Sequence, residues 1–118
     1  MRTTAEEASN TRITTTIDVE APLVTLINVF EVVPERQGEL VEELQRSTVE
    51  MMSRLPGFIS ANIHRSLDGT HVANYAQWRT KEDFDRMLEN PDAQAHRRHL
   101  ATIAKAAPAL YRVASVHQ

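Results

Sequence analysis

Two asparagines occupy positions where this sequence otherwise places hydrocarbon. In "LVTLINVFEVV", residues 23–33, a two-residue period puts Val24, Leu26, Asn28, Phe30 and Val32 on one face. In "HVANYAQWR", residues 71–79, the same period aligns Val72, Asn74, Ala76 and Trp78. An amide left unpaired among apolar neighbours costs roughly 1–3 kcal/mol, so something must satisfy each one. The bland partner is a nearby backbone or side-chain group. The functional partner is a ligand held in an apolar pocket that has a few convergent polar groups. Trp78 alone is a weak signal, because a lone tryptophan is more often core and its indole N–H needs only one acceptor.

The five histidines add less. His96 and His99 are three apart and can share one side of a helix. A metal site needs more ligands than these two, and no metal is expected. The position of His64 depends on strand register. A two-residue turn at Asp68-Gly69 pairs Ile63 with Asn74 and sends His64 to the opposite face, whereas a three-residue loop or a bulge brings it round to the Asn74 side. No glycine-rich phosphate loop and no G-x-S-x-G elbow occurs, and there are only three glycines in all.

The bulk of the chain limits what these residues can belong to. At 118 residues, 42% hydrophobic and 25% charged, it reads as one ordinary globular domain. A net charge of -3 with no basic stripe argues against nucleic acid as a partner. There is no cysteine, which fits a reducing compartment and removes disulfides and thiolate chemistry. No apolar run approaches the ~20 residues of a membrane span. The N-terminus lacks the apolar centre of a signal peptide. A cytoplasmic protein is the simplest expectation.

The elements that must position the amides follow from periodicity. Residues 1–21 are polar and read as a flexible arm, in which "RITTTIDVE" alternates weakly enough to suggest a short edge strand. Residues 22–118 form the domain. The first strand, apolar on both faces, is expected to be central. A helix over 35–55 carries the apolar stripe Leu40, Val41, Leu44, Thr48, Met51, Met52 and Leu55, with Glu42–Arg46 and Glu50–Arg54 pairs on its wet face. "FISANIHRSL" and "HVANYAQWR" flank Asp68-Gly69 as a hairpin. Thr80 and Asp83 cap a short helix that buries Phe84, Met87 and Leu88. Asn90-Pro91 starts another, running to about Ala106 with Ala93, Leu100, Ile103 and Ala104 inward. "ALYRVASVH" is the last strand.

The order β-α-β-β-α-β is the ferredoxin-like arrangement, an α+β fold with helices on one face of an antiparallel sheet. The first and third strands are then adjacent, and Asn28 and Asn74 can converge beneath the helices beside Trp78. Apolar residues such as Ile27 on the other face favour a homodimer, sheet against sheet, as a dimeric α/β barrel.

In this order and spacing, "LINVFEVVPER", "LPGFISANIHRS" and "NYAQWRTKEDF" resemble the antibiotic biosynthesis monooxygenase superfamily over about residues 23–117. Trp78 to Phe84 carries its fold-level W-x-[ST]-x-x-x-[FL] stretch. Within that superfamily the chain is similar to cofactor-independent oxygenases of aromatic polyketide pathways, which convert anthrones or naphthacenones to quinones with molecular oxygen. The resemblance implies Asn28, Asn74, Trp78 and His64 as catalytic residues. It also implies Arg98 as a pocket arginine, and Phe84 where some members have a tyrosine, so a tyrosine-dependent step is in doubt. Phe30, Leu44, Met51, Phe84, Met87 and Arg98 are the expected substrate contacts. The amides would donate to a developing oxyanion, Trp78 would pack on a small aromatic substrate, and no cofactor would be needed. The first proton acceptor stays open between His64, a water, and an amide acting through water. One alternative is a haem-degrading member, for which Asn28 and His96 fit but Met87 replaces the expected tryptophan. Another is a non-catalytic binding or accessory dimer, since one fold hosts many functions.

Overall fold

The computed structural model describes residues 12–118. Four strands and three α-helices alternate along the chain: β1 (Val24–Glu31), α1 (Gln37–Glu50), β2 (Phe58–Arg65), β3 (His71–Trp78), α2 (Lys81–Glu89), α3 (Pro91–Leu100) and β4 (Pro108–Tyr111). The strands form one antiparallel sheet in the order β2-β3-β1-β4, which is the ferredoxin-like order. β1 is central, between β3 and β4, as its two apolar faces require. Among the described residues no helix is long and apolar enough to cross a membrane.

Local signals place the elements. Thr80 caps α2, its Oγ1 accepting from the Asp83 N–H at 3.0 Å. Asn90 caps α3, its Oδ1 accepting from the N–H groups of Asp92 and Ala93 at 2.9 and 3.1 Å. The Asp68-Gly69 corner closes the hairpin, with Gly69 at φ +82° and the Ser66 N–H on the His71 carbonyl at 3.0 Å. This turn keeps Ile63 opposite Asn74. A bulge does interrupt β2, but between Phe58 and Ser60, before His64 is reached.

Three elements stop earlier than periodicity suggests. The first helix is split: a 3₁₀ turn at Pro34–Arg36, then α1 ending at Glu50, then a second 3₁₀ turn at Met52–Arg54. Ser47 and Thr48 both bond the Leu44 carbonyl through their hydroxyls, at 3.1 and 2.8 Å, and such back-bonding competes with the helical ladder near its end. Within α1, Arg46 pairs with Glu43 at 2.6 Å instead of Glu42. The last helix ends at Leu100, and the chain then extends to bridge Lys105 with Glu31. β4 ends at Tyr111 because its partner runs out: Tyr111 faces Thr25, and β1 begins one residue before Thr25.

The "RITTTIDVE" segment forms no strand in its described part. It meets the outer face of the sheet through side chains instead. Thr15 donates to Asn62 Oδ1 at 2.6 Å, and Gln77 Nε2 donates to the Thr16 carbonyl at 3.0 Å. Thr25 and Gln77, paired across β1 and β3 on that face, are both buried. Residues 1–11 of the expected arm lie outside the described residues.

The helix-facing side holds the core in two clusters. Phe30, Val32, Leu40, Val41, Leu44, Val72, Leu100 and Ile103 form one. Val24, Trp78, Phe84, Met87 and Ala93 form the other, with Leu26, Met52 and Phe58 packed against it. Leu40 has no exposed surface. Replacing it with alanine is expected to cost about 2–5 kcal/mol in a urea denaturation, the range for a fully buried leucine. Gly57, at φ +84°, leaves no room for a β-carbon beside the Asp83 side chain, whose carboxylate accepts from the Thr80 cap hydroxyl. Gly57→Ala should therefore lower the melting temperature through both backbone strain and displacement of the cap.

Candidate active site

The amides fall where the two core clusters part. Along β1 the helix-facing row reads Val24 and Leu26 in one cluster, Asn28, then Phe30 and Val32 in the other. Along β3 it reads Val72 in one cluster, Asn74 and Ala76, then Trp78 in the other. Asn28 and Asn74 are direct cross-strand partners on the same rung. A cavity of about 360 Å³ lies there, under α1, α2 and α3. That volume is within the usual range for small-molecule sites, about 300–1,000 Å³. Its wall is mostly apolar, with Leu26, Phe30, Leu44, Met52, Phe58, Phe84, Met87 and Leu100 among the contributors. Ala106 and Pro108 are exposed on its margin beside β4, so the cavity opens there.

The two amides are satisfied differently. Asn28 Oδ1 accepts from the Ala107 N–H at 3.1 Å. This bond exists because Asn28 faces Pro108 on β4, and the chain entering that strand brings the Ala107 N–H alongside. With its oxygen tied, Asn28 has its NH₂ group left to offer. Asn74 Oδ1 is buried and has no partner among the described residues. The amides therefore present a donor and an acceptor on one rung.

Trp78 is buried between two phenylalanines. Phe58 meets it edge to face at 5.6 Å between ring centres, and Phe84 at 6.2 Å. Its Nε1 is buried without an acceptor among the described residues. Phe84 is thus a wall of the tryptophan's socket, a task that needs no tyrosine hydroxyl. Nε2 of His96, a residue of the cavity wall, is also buried and unpaired among the described residues. Burial pushes the His96 pKa below the usual imidazole value, while the Glu43 carboxylate opposes that shift.

The structure gathers Asn28, Asn74, Trp78, Phe30, Leu44, Phe84 and Met87 around one space. Three expected site residues are not there. His64 faces Ala73 on the side of the sheet away from the helices and is exposed, because the hairpin register sends it opposite to Asn74. Arg98 is exposed on α3, and it is Arg97 that borders the cavity, held by the Leu88 carbonyl at 2.7 Å. Met51 packs with the second cluster but does not line the cavity; the break after Glu50 turns Met52 inward instead. His96, Arg97, Ser47 and Thr48 line it and were not anticipated as substrate contacts. Only His96 carried a signal, through its position on the last helix.

A ferredoxin-like sheet with a mostly apolar cavity, bordered by two amides and an indole, defines a small-molecule enzyme site with few polar tools. The chain belongs to the antibiotic biosynthesis monooxygenase family, which matches residues 23–99, and it is an oxidoreductase of the monooxygenase type. It is 42% identical over 93 residues to tetracenomycin-F1 monooxygenase of Streptomyces glaucescens, covering 79% of this chain and 83% of that one. A monooxygenase from the ActVA-Orf6 gene of Streptomyces coelicolor, solved in complex with nanaomycin D, superposes with a TM-score of 0.67 at 30% identity, over 86% of this chain and 96% of that one. SnoaB, described as a cofactor-independent oxygenase from Streptomyces nogalater, shares the fold with a TM-score of 0.70 at 24% identity, covering 81% of this chain and 97% of that one.

The unpaired Asn74 oxygen has a measurable consequence. Asn74→Leu replaces a desolvated, partnerless amide with hydrocarbon of similar size, which can be neutral or stabilising. A gain of about 1 kcal/mol, read as a melting temperature several degrees higher, is expected. Activity should be lost in the same variant, since the polar group at this rung would be gone. His64→Ala and Arg98→Ala are expected to leave kcat/KM within about twofold, as surface substitutions away from a site usually do.

Proposed function

We propose that the protein oxidises an electron-rich polycyclic phenol or anthrone to a quinone with molecular oxygen, without a cofactor. The observation that carries this reading is the cavity's mixture of apolar wall and unpaired atoms: an acceptor at Asn74, a donor at Trp78, and the NH₂ of Asn28. A flat aromatic body with one hydroxyl and one carbonyl oxygen suits that set. The names of the tetracenomycin and nanaomycin-bound relatives point to the same class of molecule.

The chemistry needs little from the protein. Triplet oxygen reacts poorly with closed-shell molecules, but an aromatic enolate or phenolate can pass it one electron, after which the radicals combine. The substrate is thus its own reductant. The protein's share is to favour the anion and keep it dry. The Asn28 amide donates to the developing oxyanion, where one such donor is worth about 3–4 kcal/mol in the barrier. The oxygen of Asn74 accepts from the substrate's remaining hydroxyl. Trp78 fixes the ring plane, and the aliphatic wall excludes water, which strengthens each polar contact.

We further propose a cytoplasmic homodimer joined through the outer sheet face. Val29 and Tyr111 are exposed apolar residues on that face, and Ile13 and Ile17 are exposed on the segment that crosses it. Light scattering after gel filtration should give twice the chain mass, and Val29→Glu should reduce it to one.

The activity is tested by adding emodin anthrone or dithranol aerobically, with no flavin, metal or haem. Quinone absorbance should rise well above the buffer rate, with one dioxygen consumed per product. Asn28→Ala should lower kcat by about 10²–10³-fold. No acceleration across several anthrones and naphthacenones would overturn the reading.

A further inference from the structure

Among the described residues, the cavity wall contains one group that can take up a proton near neutrality. Of its polar residues, Asn28, Asn74, Ser47 and Thr48 are not bases, and the Arg97 guanidinium cannot accept a proton. The Trp78 indole only donates. His96 is left: it lines the cavity, and its buried Nε2 is paired to nothing among the described residues. We propose that His96 is the base that removes the first proton from the substrate, a role that rests on the quinone-forming reading above.

The surroundings of His96 suit that step. Burial favours its neutral form, so it meets the substrate ready to accept. The imidazolium that forms has a counter-charge at hand. Glu43, on the facing helix α1, is held ionised by its hydrogen bond from Arg46 and raises the proton affinity of His96. His99, one turn on, is exposed and approaches the same carboxylate at 3.7 Å. The other charges acting on His96 are Arg97 and His99 on its own helix, and both oppose protonation. Glu43 is accordingly a positioning residue that touches no substrate.

The step balances. In an anthrone, a methylene C–H bond, or the O–H bond of its phenol tautomer, breaks. Its electron pair stays on the substrate as an enolate, and the proton forms an N–H bond at His96 Nε2. Dioxygen then takes electrons from the anion, one oxygen atom becomes the new carbonyl, and the other leaves as water. That water carries the two methylene hydrogens, the first returned from His96. Carbon is oxidised, dioxygen is reduced, and His96 ends neutral.

Two readouts test this. In the first, kcat/KM for emodin anthrone is measured against pH. The wild-type rate should rise from acid to a plateau, with an apparent pKa below the usual histidine value. His96→Ala should lose at least 10²-fold in kcat with KM little changed. It should also lose that acid limb, and added imidazole should restore part of the rate. Glu43→Gln should move the limb to lower pH, because a charge that favours imidazolium is gone. In the second, emodin is bound without oxygen and its visible spectrum is recorded at neutral pH. Wild type should shift it toward the phenolate and His96→Ala should not, while both bind it and melt alike. This second readout stands even if no anthrone is turned over, an outcome that would overturn the proposed function. The assignment of His96 is overturned if His96→Ala keeps the wild-type acid limb and the phenolate shift. It is also overturned if the protein binds haem stoichiometrically, with a Soret band that His96→Ala abolishes.

Discussion

A single rung of the sheet governs the rest of the structure. Asn28 and Asn74 face each other across β1 and β3, in the row that elsewhere supplies the core. Hydrocarbon packs closely on hydrocarbon at native density, and an amide pair interrupts that packing. The core therefore divides, with Phe30 and Leu40 in one part and Trp78 and Phe84 in the other. A cavity of about 360 Å³ borders this rung. The buried, unpaired Asn74 oxygen costs stability at this rung.

The surrounding elements act to hold that rung still. The chain entering β4 brings the Ala107 N–H to the Asn28 oxygen, which fixes which end of the amide is free. The edge-to-face contacts of Phe58 and Phe84 immobilise the indole. Caps at Thr80 and Asn90 set the two short helices that roof the cavity. Arg97 ties the second of these helices to the first through the Leu88 carbonyl. A reaction whose electrons come from the substrate needs this kind of rigidity more than it needs reactive side chains.

Much of this was legible in the sequence, for reasons tied to particular residues. Alternation through Val24 to Val32 and Val72 to Trp78 identifies both strands and places both amides on their helix-facing side. Capping chemistry at Thr80 and Asn90 marks both helix starts. What was hidden depended on contacts between distant residues. The strand "ALYRVASVH" continues in pattern past Tyr111, but its partner does not. Helical periodicity carries through Met51, but Ser47 and Thr48 spend the Leu44 carbonyl. Whether His64 faces the cavity depended on one residue of register, which the Asp68-Gly69 corner decided. His96 could not be told from Arg98 as a cavity residue without the exact place where α3 crosses the sheet.

The most direct test of the divided core is a crystal structure with a non-oxidisable anthraquinone such as emodin bound. The account predicts the ring system lying between the Phe30 and Trp78 clusters, with one substrate oxygen within hydrogen-bond distance of the Asn28 amide nitrogen and another within reach of Asn74 Oδ1. A closed core with the two amides bonded to each other, and the anthraquinone on the outer sheet face or absent, would contradict it.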